Sequence, residues 1–271
     1  MKRAALILVG SVIMAVFSLV PFLWFVLTSW KSPTEITAIP PQIVPSFHWG
    51  FYRSALENYG LLKYIWNSAI VAGGTTLVSV AIGSFAAYAI ARFRLSWTRF
   101  YLMLLLAISM FPQIAVAGPV WRILHDLGWL NTYHGLIAAY ISLSLPLAVW
   151  ILTTFMKELP FEVEEAALVD GCTRLQALWK VILPLAAPGL FTAAILVFMH
   201  AWNEFFFALI ILTNPNLQTL PVGIALFPGE YTMPWGEISA ASTIATLPLV
   251  VLTLIFQRRI VRGLSAGAVK G

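Results

Sequence analysis

Charged residues are scarce in this chain. Asp, Glu, Lys and Arg together make up 10% of its 271 residues, whereas hydrophobic residues make up 60%. A soluble globular domain has charges at about a quarter of its positions, so this composition excludes the ordinary soluble classes. The long apolar runs also lack the residue-by-residue alternation that is typical of barrel strands. The sequence therefore predicts an integral membrane protein built from helices.

Residue patterns that commonly carry chemistry are also missing. The single cysteine, Cys172, has no partner within the chain for a disulfide bond. The sequence contains no H-E-x-x-H and no G-x-x-x-x-G-K-[ST] phosphate loop. Four histidines are scattered along the chain without the spacing of metal ligands: His48, His125, His134 and His200. We therefore expect no catalytic residue, no metal site and no cofactor-binding site in this chain.

Six charge-poor apolar windows divide the sequence. A helix needs about 20 apolar residues to cross the hydrocarbon layer, and each window is long enough. The predicted helices cover about 4–28, 65–91, 100–121, 133–156, 186–212 and 238–257. We expect an all-α, polytopic membrane protein with six transmembrane helices, in which residues 1–271 form a single transmembrane domain.

The first window has an alternative interpretation as a cleaved signal peptide, because Lys2 and Arg3 precede it. Its apolar run is longer than the roughly 7 to 15 residues typical of such peptides. The sequence T-S-W-K at 28–31 follows it, where an A-x-A-like cleavage site would be expected. We therefore interpret this window as a membrane helix.

The distribution of basic residues predicts the orientation. Cytoplasmic flanks of membrane helices are enriched in Lys and Arg. If the N-terminus is inside, the cytoplasmic segments contain Lys2, Arg3, Arg92, Arg94, Arg99, Lys157, Arg174, Lys180, Arg258, Arg259, Arg262 and Lys270. The outer segments then contain only Lys31, Arg53, Lys63 and Arg122. Both termini are predicted to be cytoplasmic, and the net charge of +5 reflects this topology, so we expect no nucleic-acid partner.

Two predicted spans carry polar groups on one face. His200, Asn203 and Glu204 are spaced i, i+3 and i+4 in the fifth span, and ionisable residues inside a membrane are candidates for functional sites. Ser239, Ser242, Thr243 and Thr246 form a hydroxyl stripe in the sixth span. Two interpretations remain open at this point. His200, Asn203, Glu204, Ser242 and Thr243 could line a solute pathway, or the polar groups could form hydrogen bonds between helices.

The segment from 157 to 184 is predicted to be a protruding pair of short helices on the cytoplasmic side. Pro160 suits a first helical position, Gly171 suits a left-handed stop, and a second helix is expected from Thr173 to Leu183. Five acidic residues outnumber three basic ones in this loop: Glu158, Glu162, Glu164, Glu165 and Asp170 against Lys157, Arg174 and Lys180. Helices that lie on the inner leaflet are rich in Lys and Arg, so this loop suits a protein partner better than a lipid surface.

The same loop resembles the E-A-A loop of ABC importer permeases. It contains Glu165-Ala166-Ala167, three residues, Gly171, nine residues, and an aliphatic residue two positions before Leu183-Pro184. Val181 is that aliphatic residue, where isoleucine is usual. Further segments resemble the maltose-type carbohydrate permeases, specifically the six-helix subunit of the permease pair: A-L-E-N-Y-G, A-A-Y-A-I-A-R-F, M-F-P-Q, V-I-L-P-L-A-A-P-G-L, W-N-E-F-F-F-A-L and F-Q-R-R-I-V-R-G-L-S-A-G-A-V-K-G.

This resemblance implies a type I ABC importer permease fold and a sugar importer in a bacterial-type cytoplasmic (inner) membrane, with a disaccharide or other glucoside as the favoured cargo. It implies four kinds of partner: a second homologous permease, two ATPase subunits that bind ATP and Mg, an extracytoplasmic sugar-binding protein, and the bilayer. The residues implied for ATPase coupling are Glu164, Glu165, Ala166, Ala167, Leu168, Asp170 and Gly171.

The resemblance also implies contacts outside the coupling loop. The outer segment 214–235 would face the binding protein. The cytoplasmic tail covers about 258–271, and its part from about 263 to 271 would reach toward the ATPases. For the tail, a frayed terminus is an equally open interpretation. An ion-coupled secondary carrier or channel is the alternative function, because Glu204 and His200 lie in one span.

Overall fold

The computed structural model describes residues 2–93, 97–228 and 233–266, with side chains for these ranges apart from 2–5, 99 and 258–266. Within the described residues the chain is helical and contains no strand. The helices are α1 Lys2–Ser29, α2 Pro33–Ile36, α3 Gly50–Glu57, α4 Leu61–Arg92, α5 Thr98–Ser109, α6 Gln113–Asp126, α7 Tyr133–Glu158, α8 Phe161–Val169, α9 Arg174–Ala177, α10 Leu183–Leu185, α11 Ala187–Asn203, α12 Phe206–Ile211, α13 Leu220–Ala225 and α14 Trp235–Ala266. A π-helical turn, Leu178–Ile182, joins α9 to α10.

Four helices are long and apolar enough to cross a membrane on their own: Leu6–Ser29, Leu61–Arg92, Tyr133–Glu158 and Trp235–Gln257. Two further pairs of helices pass the same test together but are sharply bent, by 90° between α5 and α6 and by 78° before α11. The part of the chain that the structure describes therefore has four spans, or six if each bent pair is one span.

The predicted helix at 100–121 is broken in the structure. α5 ends at Ser109, and α6 begins at Gln113, directly after Pro112. Pro112 has no backbone N–H to donate and its ring disfavours a helical conformation of the residue before it. The proline of the M-F-P-Q segment therefore divides what hydropathy alone predicts as one helix.

The predicted helix at 186–212 is also interrupted. α11 ends at Asn203, Glu204 adopts an extended conformation with ψ of 129°, and α12 begins at Phe206. No proline lies at this break.

Internal contacts divide the chain into two compact units. The first comprises Met1–Ile65 and Val222–Leu249, and the second comprises Trp66–Pro221 and Val250–Gly271. α1 begins the first unit, and no residue in its most apolar window is buried by the rest of the chain. An uncovered apolar helix of this kind is suited to contact lipid or another membrane subunit.

Glu35 holds together the segment that follows α1. Its Oε2 accepts hydrogen bonds from the backbone N–H of Ser32 at 2.7 Å and from the hydroxyl of Ser46 at 3.0 Å. The Ser32 N–H stabilises the ionised carboxylate, and this contact lowers the pKa of Glu35 below its ordinary value. The ionised side chain therefore ties residues 32 and 46 into one turn.

A core cluster of the second unit lies against the carboxyl-terminal half of α7. Buried side chains there include Leu152, Met156 and Ile182, from α7 and the π-helical turn. Gly83 of α4 approaches α7 closely, because a Cβ at this position would lie 3.3 Å from the Cβ of Ala148. An apolar cavity of about 660 Å³ lies between α4, the π-helical turn and α11, with Phe85, Trp179 and Phe198 among its walls.

Candidate functional site

α8 and the turn after it form the protruding pair of helices that the sequence predicts, which we call the α8 knob (residues 160–177). α8 begins at Phe161, one residue later than expected, with Pro160 as its N-cap. Glu162 lies in the first turn, where the helix dipole favours negative charge. Gly171 ends the helix with φ of 87°, a left-handed conformation that favours glycine, and the N–H of Cys172 donates to the carbonyl of Ala167 at 3.0 Å.

The return helix of the α8 knob begins with a capping box. The hydroxyl of Thr173 accepts from the N–H of Gln176, and the side chain of Gln176 accepts from the N–H of Thr173. The helix does not end at Pro184, as the sequence predicts, but continues to Leu185 through the π-helical turn. A π-helical turn widens the backbone locally, and Pro184, which has no N–H, is accommodated directly after it.

The seven residues expected to couple to an ATPase lie on two faces of the knob. Glu165, Ala166, Asp170 and Gly171 are exposed, and Leu168 is half-buried. Glu164 and Ala167 are buried, at 7% exposure each. The structure therefore offers the first group to a partner, whereas Glu164 faces the interior of its own chain.

Glu164 is held by two side chains at the carboxyl end of α4. The hydroxyl of Tyr88 donates to Oε1 of Glu164 at 2.5 Å, and Nε of Arg92 lies 3.2 Å from Oε2. Nε and Nη2 of Arg92 have no hydrogen-bond partner among the described residues. The contact between Nε and Glu164 is therefore an ion pair whose geometry is not that of a hydrogen bond. Nη1 of Arg92 donates to the carbonyl of Leu159 at 3.1 Å. These contacts connect both ends of the α7–α8 turn to α4.

Sequence reasoning missed the partners of Glu164. Tyr88 and Arg92 lie four residues apart at the end of α4, within the A-A-Y-A-I-A-R-F segment. A tyrosine and an arginine on one face of an otherwise apolar helix are a signal that an acid lies nearby. The sequence did not indicate which acidic residue would be the partner.

His200, Asn203 and Glu204 line one cavity of about 480 Å³. His200 and Asn203 are exposed, and Nδ1 of His200 is 3.4 Å from the hydroxyl of Ser144. Gln113, the first residue of α6, also lines this cavity, together with Phe205 and Phe206. The structure thus brings the three predicted residues of the fifth span together and adds an amide that sequence reasoning missed. The break at Pro112 is the signal that could have found Gln113.

Glu204 has a structural task at the break between α11 and α12. Its carboxylate accepts from the backbone N–H of Phe207 at 3.0 Å and of Ala208 at 3.3 Å, the first turn of α12. Its own carbonyl accepts from the hydroxyl of Tyr140 at 3.3 Å. An acid that caps a helix N-terminus stabilises N–H groups that have no partner within the helix. Glu204 is buried, with 7% of its surface exposed. The more accessible polar groups of the cavity are those of His200 and Asn203, which are exposed, and of Gln113, which is half-buried.

Ser242 and Thr243 lie on α14, in the first compact unit. The hydroxyl of Thr243 donates to the carbonyl of Ser239 at 2.8 Å, and the carbonyl of Ser242 accepts from the hydroxyl of Thr246 at 2.7 Å. These two hydrogen bonds are within one helix, a common arrangement for hydroxyls in apolar helices.

Two predicted contact segments are only partly described. In the outer segment, α13 covers Leu220–Ala225, and the ring of Phe227 stacks on Tyr59 with centroids 4.4 Å apart. Gly229, Glu230 and Tyr231 lie outside the described residues. α14 extends to Ala266, and the rest of the predicted tail, 267–271, also lies outside them.

Comparison with known proteins identifies a family and several relatives. Residues 79–266 match the model of the "binding-protein-dependent transport system inner membrane component" family. A trehalose/maltose transport system permease of Thermococcus litoralis is 42% identical over 99% of this chain and 98% of that protein. A sulfoquinovosyl glycerol transport system permease of Agrobacterium fabrum is 41% identical over 97% and 93%. A trehalose transport system permease of Mycobacterium tuberculosis is 40% identical over 100% and 99%.

Solved structures share the fold. A chain of a bacterial ABC transporter that imports the acidic polysaccharide alginate superposes with a TM-score of 0.79 at 21% identity, over 95% of both chains. A second alginate transporter structure, in complex with a periplasmic protein bound to an alginate pentasaccharide, gives 0.68 at 16% identity over 96% of both chains. At these identities the likeness concerns the fold alone.

Proposed function

The chain belongs to the family of binding-protein-dependent transport system inner membrane components, and from that membership we propose how its described surfaces serve transport. It is a multi-pass permease subunit of a binding-protein-dependent sugar ABC importer. Its task is translocation, and ATP hydrolysis lies in separate subunits. An extracytoplasmic binding protein is its partner for sugar delivery.

The proposed topology has six spans with both termini in the cytoplasm of a bacterial-type cell, in its cytoplasmic (inner) membrane. Each bent pair of helices counts as one span in this topology. The excess of basic residues in the segments assigned to the inside supports it. In this orientation the α8 knob protrudes into the cytoplasm, and the carboxyl end of α1 and α13 face outward.

The complete importer, in this proposal, contains a second homologous permease and two ATPase subunits that bind ATP and Mg. The absence of a phosphate loop from the sequence supports nucleotide binding elsewhere. The apolar cavity between α4 and α11 supports a second membrane subunit, because it leaves apolar surface without cover from the chain itself.

The observation that carries the coupling proposal is the division of the α8 knob into two faces. The exposed face, with Glu165, Ala166 and Asp170, would sit in a groove of an ATPase subunit. The buried face, through Glu164, connects to Tyr88 and Arg92 of α4. Movement of the ATPase would therefore displace α4 together with α8, because the buried contacts join them. This is how nucleotide-driven closure would become alternating access of the membrane helices.

A disaccharide or another glucoside is the favoured cargo. The names of the relatives support this choice, since they include trehalose, maltose and a sulfoquinovosyl glycerol. The cavity of about 480 Å³ at the broken end of α11 supports a place on the sugar pathway. Gln113, His200 and Asn203 would supply hydrogen bonds there, and Phe205 and Phe206 would supply apolar surface, which suits the faces of a sugar ring.

Reconstitution tests the whole proposal. This chain is co-expressed with its candidate permease partner, ATPase and binding protein, and ATPase activity and labelled-sugar uptake are measured in proteoliposomes with a panel of disaccharides and glucosides. The expected result is uptake that requires both ATP and the binding protein. Uptake by this chain alone down an ion gradient would overturn the proposal in favour of an ion-coupled carrier.

A further inference from the structure

A small cavity in the first compact unit carries a positive charge. It has a volume of about 240 Å³ and lies between the carboxyl end of α1 and the start of α14. Trp24, Thr28 and Lys31 line it from the α1 side, and Trp235 and Ser239 line it from α14. The transport proposal does not use any of these five residues.

Lys31 is buried without a counter-ion. It is 3% exposed, and within the described ranges it forms neither a salt bridge nor a side-chain hydrogen bond. Its ammonium lies over the ring of Trp24, 4.3 Å from the centroid. An aromatic face attracts a cation but does not replace the hydrogen bonds that an ammonium loses on burial. A group that accepts hydrogen bonds and carries negative charge would satisfy Lys31.

Two hydroxyl groups line the same cavity. Oγ1 of Thr28 is buried and has no hydrogen-bond partner among the side chains and backbone that the structure describes. Ser239 is 2% exposed. One ammonium and two hydroxyls around a small space are donors suited to the oxygens of a phosphate group.

The cavity lies at the ends of two candidate membrane spans. Lys31 is two residues beyond the end of the span Leu6–Ser29, and Trp235 is the first residue of the span Trp235–Gln257. Tryptophan is enriched where membrane helices meet the headgroups. The neighbouring surface of α1 is uncovered along its span, so acyl chains can lie directly beside the cavity.

We propose that this cavity binds the phosphate group of an anionic phospholipid, with Lys31 as the counter-charge and Thr28 and Ser239 as hydrogen-bond donors. The volume corresponds to roughly eight water molecules, which suits a phosphate with part of its headgroup. It is smaller than the roughly 300 to 1,000 Å³ of pockets that enclose drug-sized ligands, so a disaccharide does not fit. In the orientation proposed above, the lipid belongs to the outer leaflet.

The test uses the importer complex purified in detergent through an affinity tag on this chain. Native mass spectrometry and thermal unfolding measure the binding of dioctanoyl phosphatidylglycerol, with dioctanoylglycerol and sodium phosphate as separate probes. The expected result is saturable binding of phosphatidylglycerol and none of the neutral diacylglycerol. Lys31→Met should weaken that binding about tenfold, because a charge-assisted contact is lost. Lys31→Arg should retain most of it.

Arg53→Gln is the matched control. It removes a positive charge from the same unit at an exposed residue that does not line the cavity, and phosphatidylglycerol binding should not change. Thr28→Val keeps the charge and removes one donor, so it should weaken binding to a smaller degree. If Lys31→Met does not assemble, unchanged binding by Thr28→Val overturns the proposal.

Three other outcomes would also overturn it. Unchanged lipid binding by an assembled Lys31→Met complex would show that the lipid does not bind at Lys31. Saturation by sodium phosphate with no binding of the lipid would reassign the cavity to the free ion. A loss of stimulation by the binding protein in Lys31→Met, with no dependence on lipid or phosphate, would assign Lys31 to a carboxylate of a partner protein.

Discussion

The hydroxyl of Tyr88 donates a 2.5 Å hydrogen bond to the carboxylate of Glu164, which is 76 residues further along the chain. This contact joins the carboxyl end of a membrane helix to the first turns of the α8 knob. It is buried, and the Arg92 guanidinium lies beside it. A short polar contact in a buried place holds two elements at a fixed distance more firmly than apolar packing alone.

Tyr88→Phe should uncouple ATP hydrolysis from uptake. The change leaves a buried carboxylate without one of its donors, at a cost of about 1 to 3 kcal/mol, and loosens α8 from α4. The expected result is a lower ratio of sugar transported to ATP hydrolysed, with the complex still assembled. Glu162→Gln, which removes an exposed acid from the same helix, is the control and should leave the ratio unchanged. An unaltered ratio in Tyr88→Phe would contradict this account of the contact.

Gly171→Val should deform the α8 knob. Gly171 has φ of 87°, and a β-branched residue there costs at least about 1 to 2 kcal/mol in backbone strain. Gly171→Asn should be milder, because asparagine tolerates a left-handed conformation. Sugar uptake and ATPase activity, measured in proteoliposomes, compare the valine variant with the asparagine variant. Equal uptake by the valine variant and the unaltered chain would exclude a requirement for this turn.

Glu165→Lys should impair coupling through charge at the exposed face of the knob. Because Glu165 is exposed, the substitution should not disturb folding, and the amount of inserted protein should stay the same. The measurement is ATPase-dependent uptake, compared with Glu162→Lys as an equal change of charge one turn earlier. If both variants fail equally, the general charge of the knob matters and the position of Glu165 does not.

Substitutions at the broken end of α11 should separate structure from transport. Glu204→Ala leaves the N–H groups of Phe207 and Ala208 without an acceptor, and loss of such a cap costs about 0.5 to 2 kcal/mol. We expect less assembled complex. His200→Ala and Asn203→Ala should instead lower sugar uptake while assembly stays constant, because both side chains face the cavity. Quantitative blotting of the complex and uptake per complex measure the two effects.

Acid should loosen the turn that Glu35 holds. The pKa of Glu35 is lowered in the folded chain, so its ionised form stabilises the turn at any pH above its ordinary value of 4.5. That contribution is lost as the pH falls through the lowered, folded-state value. The Ser32 and Ser46 N–H groups both donate to this carboxylate. Their protection factors, the ratio of the intrinsic to the observed exchange rate, should therefore fall as the pH falls through that value. In Glu35→Gln the protection factors should be lower at neutral pH and should not change with acid in this range.

The sequence predicts those parts of the fold that are set by residues close together along the chain. The α8 knob follows from caps, a dipole-matched acid and a left-handed glycine, and Gly171 and Thr173 act within a few residues of their own positions. The apolar windows likewise follow from local composition. The break at Pro112 was also local, but hydropathy averaged over a window concealed it.

Contacts between distant residues could not be predicted in the same way. Nothing near Glu164 indicates that Tyr88 is its partner, because helix packing alone brings the two together. Glu204 is an instructive case, since its partners are only three and four residues away. Periodicity placed it on a continuous helix, and a helix that continues leaves no free N–H groups for its carboxylate to cap.

Cys172 follows Gly171 directly and is half-buried at the turn of the α8 knob. Because it is the single thiol of the chain, a maleimide fluorophore or spin label would attach at one known position without any engineered cysteine. Such a label would report its surroundings at the very turn where the ATPase is proposed to dock. The native chain thus offers one attachment point for a spectroscopic label that would follow the transport cycle.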